Sequence, residues 1–139
     1  MDSLKNKKVL VVGATGGIGA HLVKLLQNSS AQVWMAGRQL QKLKLIAESN
    51  QIPDAQILEV DLSNPISVQN FVEKIQPELF DIYIYAAGIC IIKPFQQLQG
   101  AEMQLSYQVN VLSTFEIVKA ILPKMMEVKK GLIINIPGI

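Results

Sequence analysis

The chain has 139 residues, half of them hydrophobic and 17% charged, with a net charge of +2. That length holds one domain with a substantial core and excludes two, and the apolar content excludes a disordered or fibrous chain. The positive balance comes from scattered lysines rather than a basic stripe, which argues against nucleic acid, and the early apolar run is too short for a signal core or a membrane span.

The first predicted element is "KVLVVGA" (8–14), a continuous apolar run ending in glycine, the pattern of a strand buried on both faces. A helical pattern follows directly, with Ile18, Leu22, Leu25 and Leu26 expected on its inner side. "AQVWMA" (31–36) reads as a strand, "QLQKLKLIAES" (39–49) as a helix and "AQILEV" (55–60) as a third strand. Next comes a helix from Pro65, capped by Asn64, with Val68, Phe71, Val72 and Ile75 inward. "FDIYIYAAG" (80–88) is the fourth strand and "GLIINI" (131–136) the fifth. Between them Leu105, Val109, Leu112, Phe115, Val118 and Leu122 keep helical spacing. Strands alternating with helices imply right-handed crossovers, hence an α/β domain with a parallel sheet covered on both faces. No repeat, linker or low-complexity tract divides residues 1–139, which read as one domain.

The first strand runs into "VGATGGIGA" (12–20), where Gly13, Gly17 and Gly19 stand as G-x-x-x-G-x-G and Gly16 adds freedom. A dinucleotide turn needs glycine for a tight bend, for backbone approach to a pyrophosphate, and for close packing of helix on strand, with the helix N-terminus facing the anion. An ordinary strand-to-helix turn is the bland alternative. The buried strand before the turn and the amphipathic helix after it favour the nucleotide.

"GATGGIG" resembles the cofactor loop of the short-chain dehydrogenase/reductase family. Further matches follow in order: "DL" at Asp61 and Leu62, "AAG" at Ala86, Ala87 and Gly88, "VNV" around Asn110, and "LP" at Leu122 and Pro123. Val12 stands where the family usually has threonine, and Tyr85 and Ala86 replace its usual asparagine pair. The resemblance implies a Rossmann-like, doubly wound parallel sheet of about five strands, truncated after the fifth relative to the family. It implies cofactor contacts from Gly13, Thr15, Gly16, Gly17, Ile18 and Gly19, adenine contacts from Asp61 and Leu62, and backbone passage beside the ribose at Ala87 and Gly88.

An NAD-selective site places a carboxylate at the tip of the second strand; here the tip carries Gly37 and then Arg38, the only arginine in the chain. A guanidinium there would take a 2′-phosphate through paired hydrogen bonds, so NADP(H) is expected over NAD(H). A solvated arginine at a strand end is the alternative.

The family mechanism, as the resemblance implies it, uses a tyrosine whose pKa a lysine four residues on lowers, a serine on the substrate oxygen, and an asparagine in the proton relay. Asn110 fits the last role. Tyr83, Tyr85 and Tyr107 are followed four residues later by Ala87, Ile89 and Val111, so none has its lysine, and Gly138 stands at the serine position. The expectation is a cofactor-binding portion not itself competent for hydride transfer between nicotinamide and a carbonyl or alcohol, with the substrate unread. Two alternatives stand beside it: a nucleotide-binding sensor, or an interaction module that keeps the fold as scaffold.

Cys90, the single cysteine, cannot form an intramolecular disulfide and has no companion at metal-ligand spacing; a small core or pocket-wall role and a reducing, cytoplasmic setting are expected. His21 reads as solvated, and Tyr83 and Tyr85 as packing residues. The helix near 102–122 resembles a family dimerisation helix, and the apolar edge at 131–136 carries no charge to blunt it, so a homo-oligomer through either is plausible.

Overall fold

Strand β1 (Lys8–Val12) alternates its side chains between two cores, Val9 and Val11 to one face, Leu10 and Val12 to the other, all with 0% exposure. The computed structural model describes residues 2–136, and β1 lies at the centre of its sheet. The other strands are β2 (Gln32–Gly37), β3 (Ile57–Glu59), β4 (Ile82–Tyr85) and β5 (Leu132–Asn135), in the order β3-β2-β1-β4-β5 with every pairing parallel. The expected five-stranded, doubly wound parallel sheet is what the chain forms. Pro137 and Gly138, the latter at the expected serine position, lie outside the described residues.

Helices α1 (Gly17–Asn28) and α2 (Leu40–Asn50) cover one face, where Val23, Leu26, Leu43 and Ala47 meet Val11, Val33 and Met35. Helix α3 (Pro65–Ile75) and the long helix α5 (Ser113–Val128) cover the other, where Phe71, Ile75, Ile117 and Ile121 meet Leu10, Tyr83 and Tyr85. Asn64 caps α3 as expected: its Oδ1 accepts from the N–H groups of Ile66 (2.9 Å) and Ser67 (3.3 Å), with Pro65 opening the first turn.

Two expectations need correction. Helix α1 buries Gly19, Val23 and Leu26, whereas Ile18 and Leu25 are 57% and 50% exposed. The cause is Gly19, which turns its bare Cα toward the β1–α1 turn and so rotates the apolar stripe by about one position. The long helical stretch is also not one regular helix. Helix α4 (Gly100–Tyr107) passes through a π-helical turn, Gln108–Leu112, into α5, and the buried positions are Val109 within the turn and Ser113, Ile117, Ile121 and Met125 beyond it, rather than Leu112, Phe115 and Leu122.

The end of the sheet where the strands begin is closed. Lys8 extends over the rings of Trp34 (4.5 Å) and Phe80 (5.3 Å) and pairs with Glu78, while its backbone N–H donates to Asp81 Oδ2 at 2.8 Å. The open features lie at the opposite end.

Candidate functional site

The chain leaves β1 toward β2 and β3 on one side, then returns past β1 to place β4 on the other. Between the carboxyl ends of β1 and β4 the connections diverge, and an open α/β sheet has its crevice there. Gly13 is at this point with φ +86°, a conformation other residues rarely hold. A Cβ on Gly13 would lie 2.6 Å from Ala87 N, and one on Gly19 would lie 2.0 Å from Gly13 O. Those two glycines are therefore demanded by the packing of the turn against β4 and α1. Gly16 and Gly17 are not: an added Cβ would meet Gly13 O at an ordinary 3.5 Å at Gly16, and nothing within 4 Å at Gly17.

Helix α1 opens at Gly17 with no side-chain cap on its first turn. Gly16 N–H bonds back to Gly13 O (3.2 Å) and Ala20 N–H to Gly16 O (2.9 Å). Among the described residues, the N–H groups of Gly17, Ile18 and Gly19 between them have no backbone acceptor. They carry the positive end of the helix dipole. Thr15 lies against Gly37, where a Cβ would come within 3.4 Å of both its Oγ1 and Cγ2, so the bare strand end leaves Thr15 its place.

A cleft of about 340 Å³ extends from this turn. Gly13, Thr15 and Gly16 form its floor, Arg38 borders it from the tip of β2, Asp61 and Leu62 from the end of β3, and Ala87 and Gly88 from the end of β4. Arg38 is exposed. Asp61 is partly committed, since its Oδ1 accepts from both the N–H (3.0 Å) and the hydroxyl (2.6 Å) of Ser63. Ile18 and the N–H groups of α1 stand beside the floor rather than within the lining. The structure thus brings expected residues from four strand ends to one cleft.

Asn110 is in the π turn, and its side chain is fully engaged with a neighbouring wall. Its Oδ1 accepts from Ile89 N–H and its Nδ2 donates to Ile89 O, both at 2.9 Å, with a further bond to Ser106 Oγ at 3.1 Å. The amide therefore clamps the backbone just beyond Gly88. The same turn reaches the opposite wall. Ser113, 0% exposed, donates its hydroxyl proton to Leu62 O (2.7 Å), with Gln108 O also within 2.8 Å, and Gln108 Nε2 approaches Leu62 O at 3.3 Å. Sequence reasoning passed over Ser113 and Gln108. The available signal was a serine in the four-residue apolar register Val109, Ser113, Ile117, Ile121.

A second hollow, about 560 Å³, opens on the other side of β4, lined by Tyr85, Ala87, Asn110, Thr114, Phe115 and Asn135 among others. Tyr83 OH lies 3.0 Å from Thr114 Oγ1, which donates to Asn135 Oδ1 at 2.8 Å. Tyr85 OH donates to Val109 O within the π turn. Burial pushes Tyr85 up to about 12, with the nearby Ser113 hydroxyl opposing it, and raises Tyr83 further. A proton donor working near neutrality needs the reverse shift, so both rings act as packing, as expected. Cys90, expected in the core or a pocket wall, is exposed, because the segment after Gly88 leaves the sheet; His21 is exposed as expected. Among the described residues no cluster of metal-ligating side chains occurs and no helix is long and apolar enough to cross a membrane.

A model of the short chain dehydrogenase family matches residues 7–138. The chain belongs to the short chain dehydrogenase family. An uncharacterized oxidoreductase of Staphylococcus aureus strain MW2 is 32% identical over 142 residues, spanning all of this chain and 61% of that protein. One from Staphylococcus saprophyticus is 29% identical over 144 residues, spanning 62% of its length. The chain thus covers about three fifths of the curated relatives it matches.

Among solved structures of short chain dehydrogenases, a family protein 26% identical superposes with a TM-score of 0.86 over 99% of this chain and 61% of its own. A metagenomic short-chain oxidoreductase in complex with NADP, 25% identical, gives 0.87 over 99% of this chain and 64% of its own. In this fold the glycine turn connects β1 to α1 at the switch point beside β4. The departures at Tyr85 and Ala86 are accommodated, Tyr85 by its bond into the π turn and Ala86 by its N–H donating to Val12 O at 2.8 Å.

Proposed function

We propose that these residues form the NADP(H)-binding part of a short chain oxidoreductase that moves hydride between nicotinamide and a carbonyl or alcohol. In this reading the free N–H groups of Gly17, Ile18 and Gly19 take the pyrophosphate, with Gly13, Thr15 and Gly16 beneath it. Leu62 and Asp61 take the adenine, and Ala87 and Gly88 let the ribose pass. Asn110 acts by holding the Ile89 backbone, which is where its side-chain bonds go.

The observation that carries the choice of NADP(H) is Arg38, exposed at the tip of β2 and bordering the cleft. The one carboxylate among the lining residues, Asp61, is drawn toward Ser63. A charge-assisted pair to a 2′-phosphate contributes about 1.5–3 kcal/mol, a factor of roughly ten to a hundred. Arg38→Ala is therefore expected to weaken NADPH by at least about tenfold in a fluorescence titration while leaving NADH nearly unchanged. Equal NADPH affinity in the two proteins would overturn the assignment.

Chemistry is the part these residues do not supply. None of the three tyrosines has a lysine four positions on, and the two buried ones are shifted upward. By itself the 139-residue chain is expected to bind NADPH without reducing any member of a ketone panel above background. A sustained NADPH-dependent rate would refute that.

A further inference from the structure

The π turn between α4 and α5 touches both walls of the cleft at once. On one side Asn110 holds Ile89, and on the other Ser113 and Gln108 hold the carbonyl of Leu62. Leu62 and Ile89 both line the cleft, as does Val109 from the turn itself. From these bonds we infer that Ser113 is a positioning residue for the adenosine end of the nucleotide site: its hydroxyl tethers Leu62, and with it the Asp61–Ser63 turn, at the distance the nucleotide requires. The inference rests on the NADP(H) reading above and adds a determinant to it.

Ser113 has 0% exposure, so water does not reach the Leu62 carbonyl from its side. Its single proton lies between Leu62 O at 2.7 Å and Gln108 O at 2.8 Å, and Gln108 Nε2 donates to the hydroxyl oxygen at 3.2 Å. Gln108 O accepts the Ser113 backbone N–H across the π turn as well, and the wider ring sets the hydroxyl between helix and β3 loop, where Leu62 O is its nearer acceptor. Alanine at 113 leaves Leu62 O with only the 3.3 Å approach of Gln108, and the wall loses its short tether. Ser113 touches no ligand position itself. It acts through Leu62.

The test titrates the purified protein and its Ser113→Ala variant with NADPH, with 2′,5′-ADP, and with reduced nicotinamide mononucleotide, which has no adenosine. Loss of one buried tether is expected to weaken NADPH and 2′,5′-ADP alike by about fivefold, with the mononucleotide unchanged. Gln108→Met, at a half-buried position, is expected to reproduce the pattern more weakly and decides the matter if Ser113→Ala does not fold. Unchanged 2′,5′-ADP affinity in a folded variant overturns the inference alone. An equal loss for all three ligands with a lowered melting temperature assigns Ser113 to general packing and overturns it as well. Failure of the unsubstituted protein to bind either adenosine ligand removes the NADP(H) reading first and the inference with it.

Discussion

Glycines three residues apart in the same turn answer to different demands. At Gly19 a methyl group would sit 2.0 Å from Gly13 O, whereas at Gly16 it would meet the same atom at 3.5 Å. Gly19→Ala must push helix and strand apart, and is expected to cost more than about 2 kcal/mol in denaturant melts. Gly13→Ala adds backbone strain at φ +86° to a 2.6 Å clash with Ala87 N and should cost at least as much. Gly16→Ala fits the fold, with a loss below about 1 kcal/mol, yet places a methyl group on the cleft floor. NADPH affinity is expected to fall by a factor on the order of ten in that variant, about 1.4 kcal/mol. A Gly16→Ala protein that both melts and binds normally would remove the glycine turn from the site. The motif was legible as a motif; the division of labour within it was not, because it depends on how near Ala87 and Gly13 O come in space.

At the scale of elements, what could be read was what depends on neighbours in sequence. Strand β1 is a run of apolar residues, and the start of α3 is an asparagine before a proline; both stand where the pattern puts them. The rotation of α1 depends on how closely the turn folds back on Gly19, and the π turn on a partner far along the chain. The Val109 carbonyl is taken by Tyr85 from the end of β4, so the widened turn is sustained in part by a side chain no local window contains. Tyr85→Phe is thus expected to lower stability by about 1 kcal/mol at neutral pH. The same residue sets an alkaline limit. Its folded-state pKa, near 12, exceeds the ordinary value of 10, so the unfolded chain loses the proton first and stability falls as pH rises from about 10 to 12. Tyr83, shifted the same way, adds to the fall. Melts from pH 8 to 11.5 should show a shallower decline in Tyr85→Phe, and parallel curves would contradict the assignment of that loss to burial of the phenol.

For the molecule as a whole, the described sheet is covered on two faces and has two edge strands, the three-residue β3 and the more apolar β5. Strand β5 pairs only with β4 among the described strands, and its Leu132 and Ile134 are 51% and 36% exposed. The outer side of α5 adds Phe115 and Met126 at 56% and 67%. Unpaired, uncharged strand edges template association, so the 139-residue chain in isolation is expected to self-associate at micromolar concentration and above, and Ile134→Lys to reduce it. Light scattering distinguishes the two, and a strictly monomeric parent chain would count against an apolar β5 edge as the adhesive surface.

The central place of β1 also governs when the molecule can assemble. It precedes the other described strands in the chain, yet its register with β4 (Val9↔Ile82) and the bond from Asp81 N–H to Lys8 O need residues synthesised far later. Non-local parallel pairing of this kind is slow, because the intervening chain must be ordered before the contact forms. A growing chain therefore carries a strand apolar from Val9 to Val12 with one side unpaired until Tyr85 has emerged. Gly13 meets Ala87 only at that moment, so the cleft cannot take shape before β4 is made.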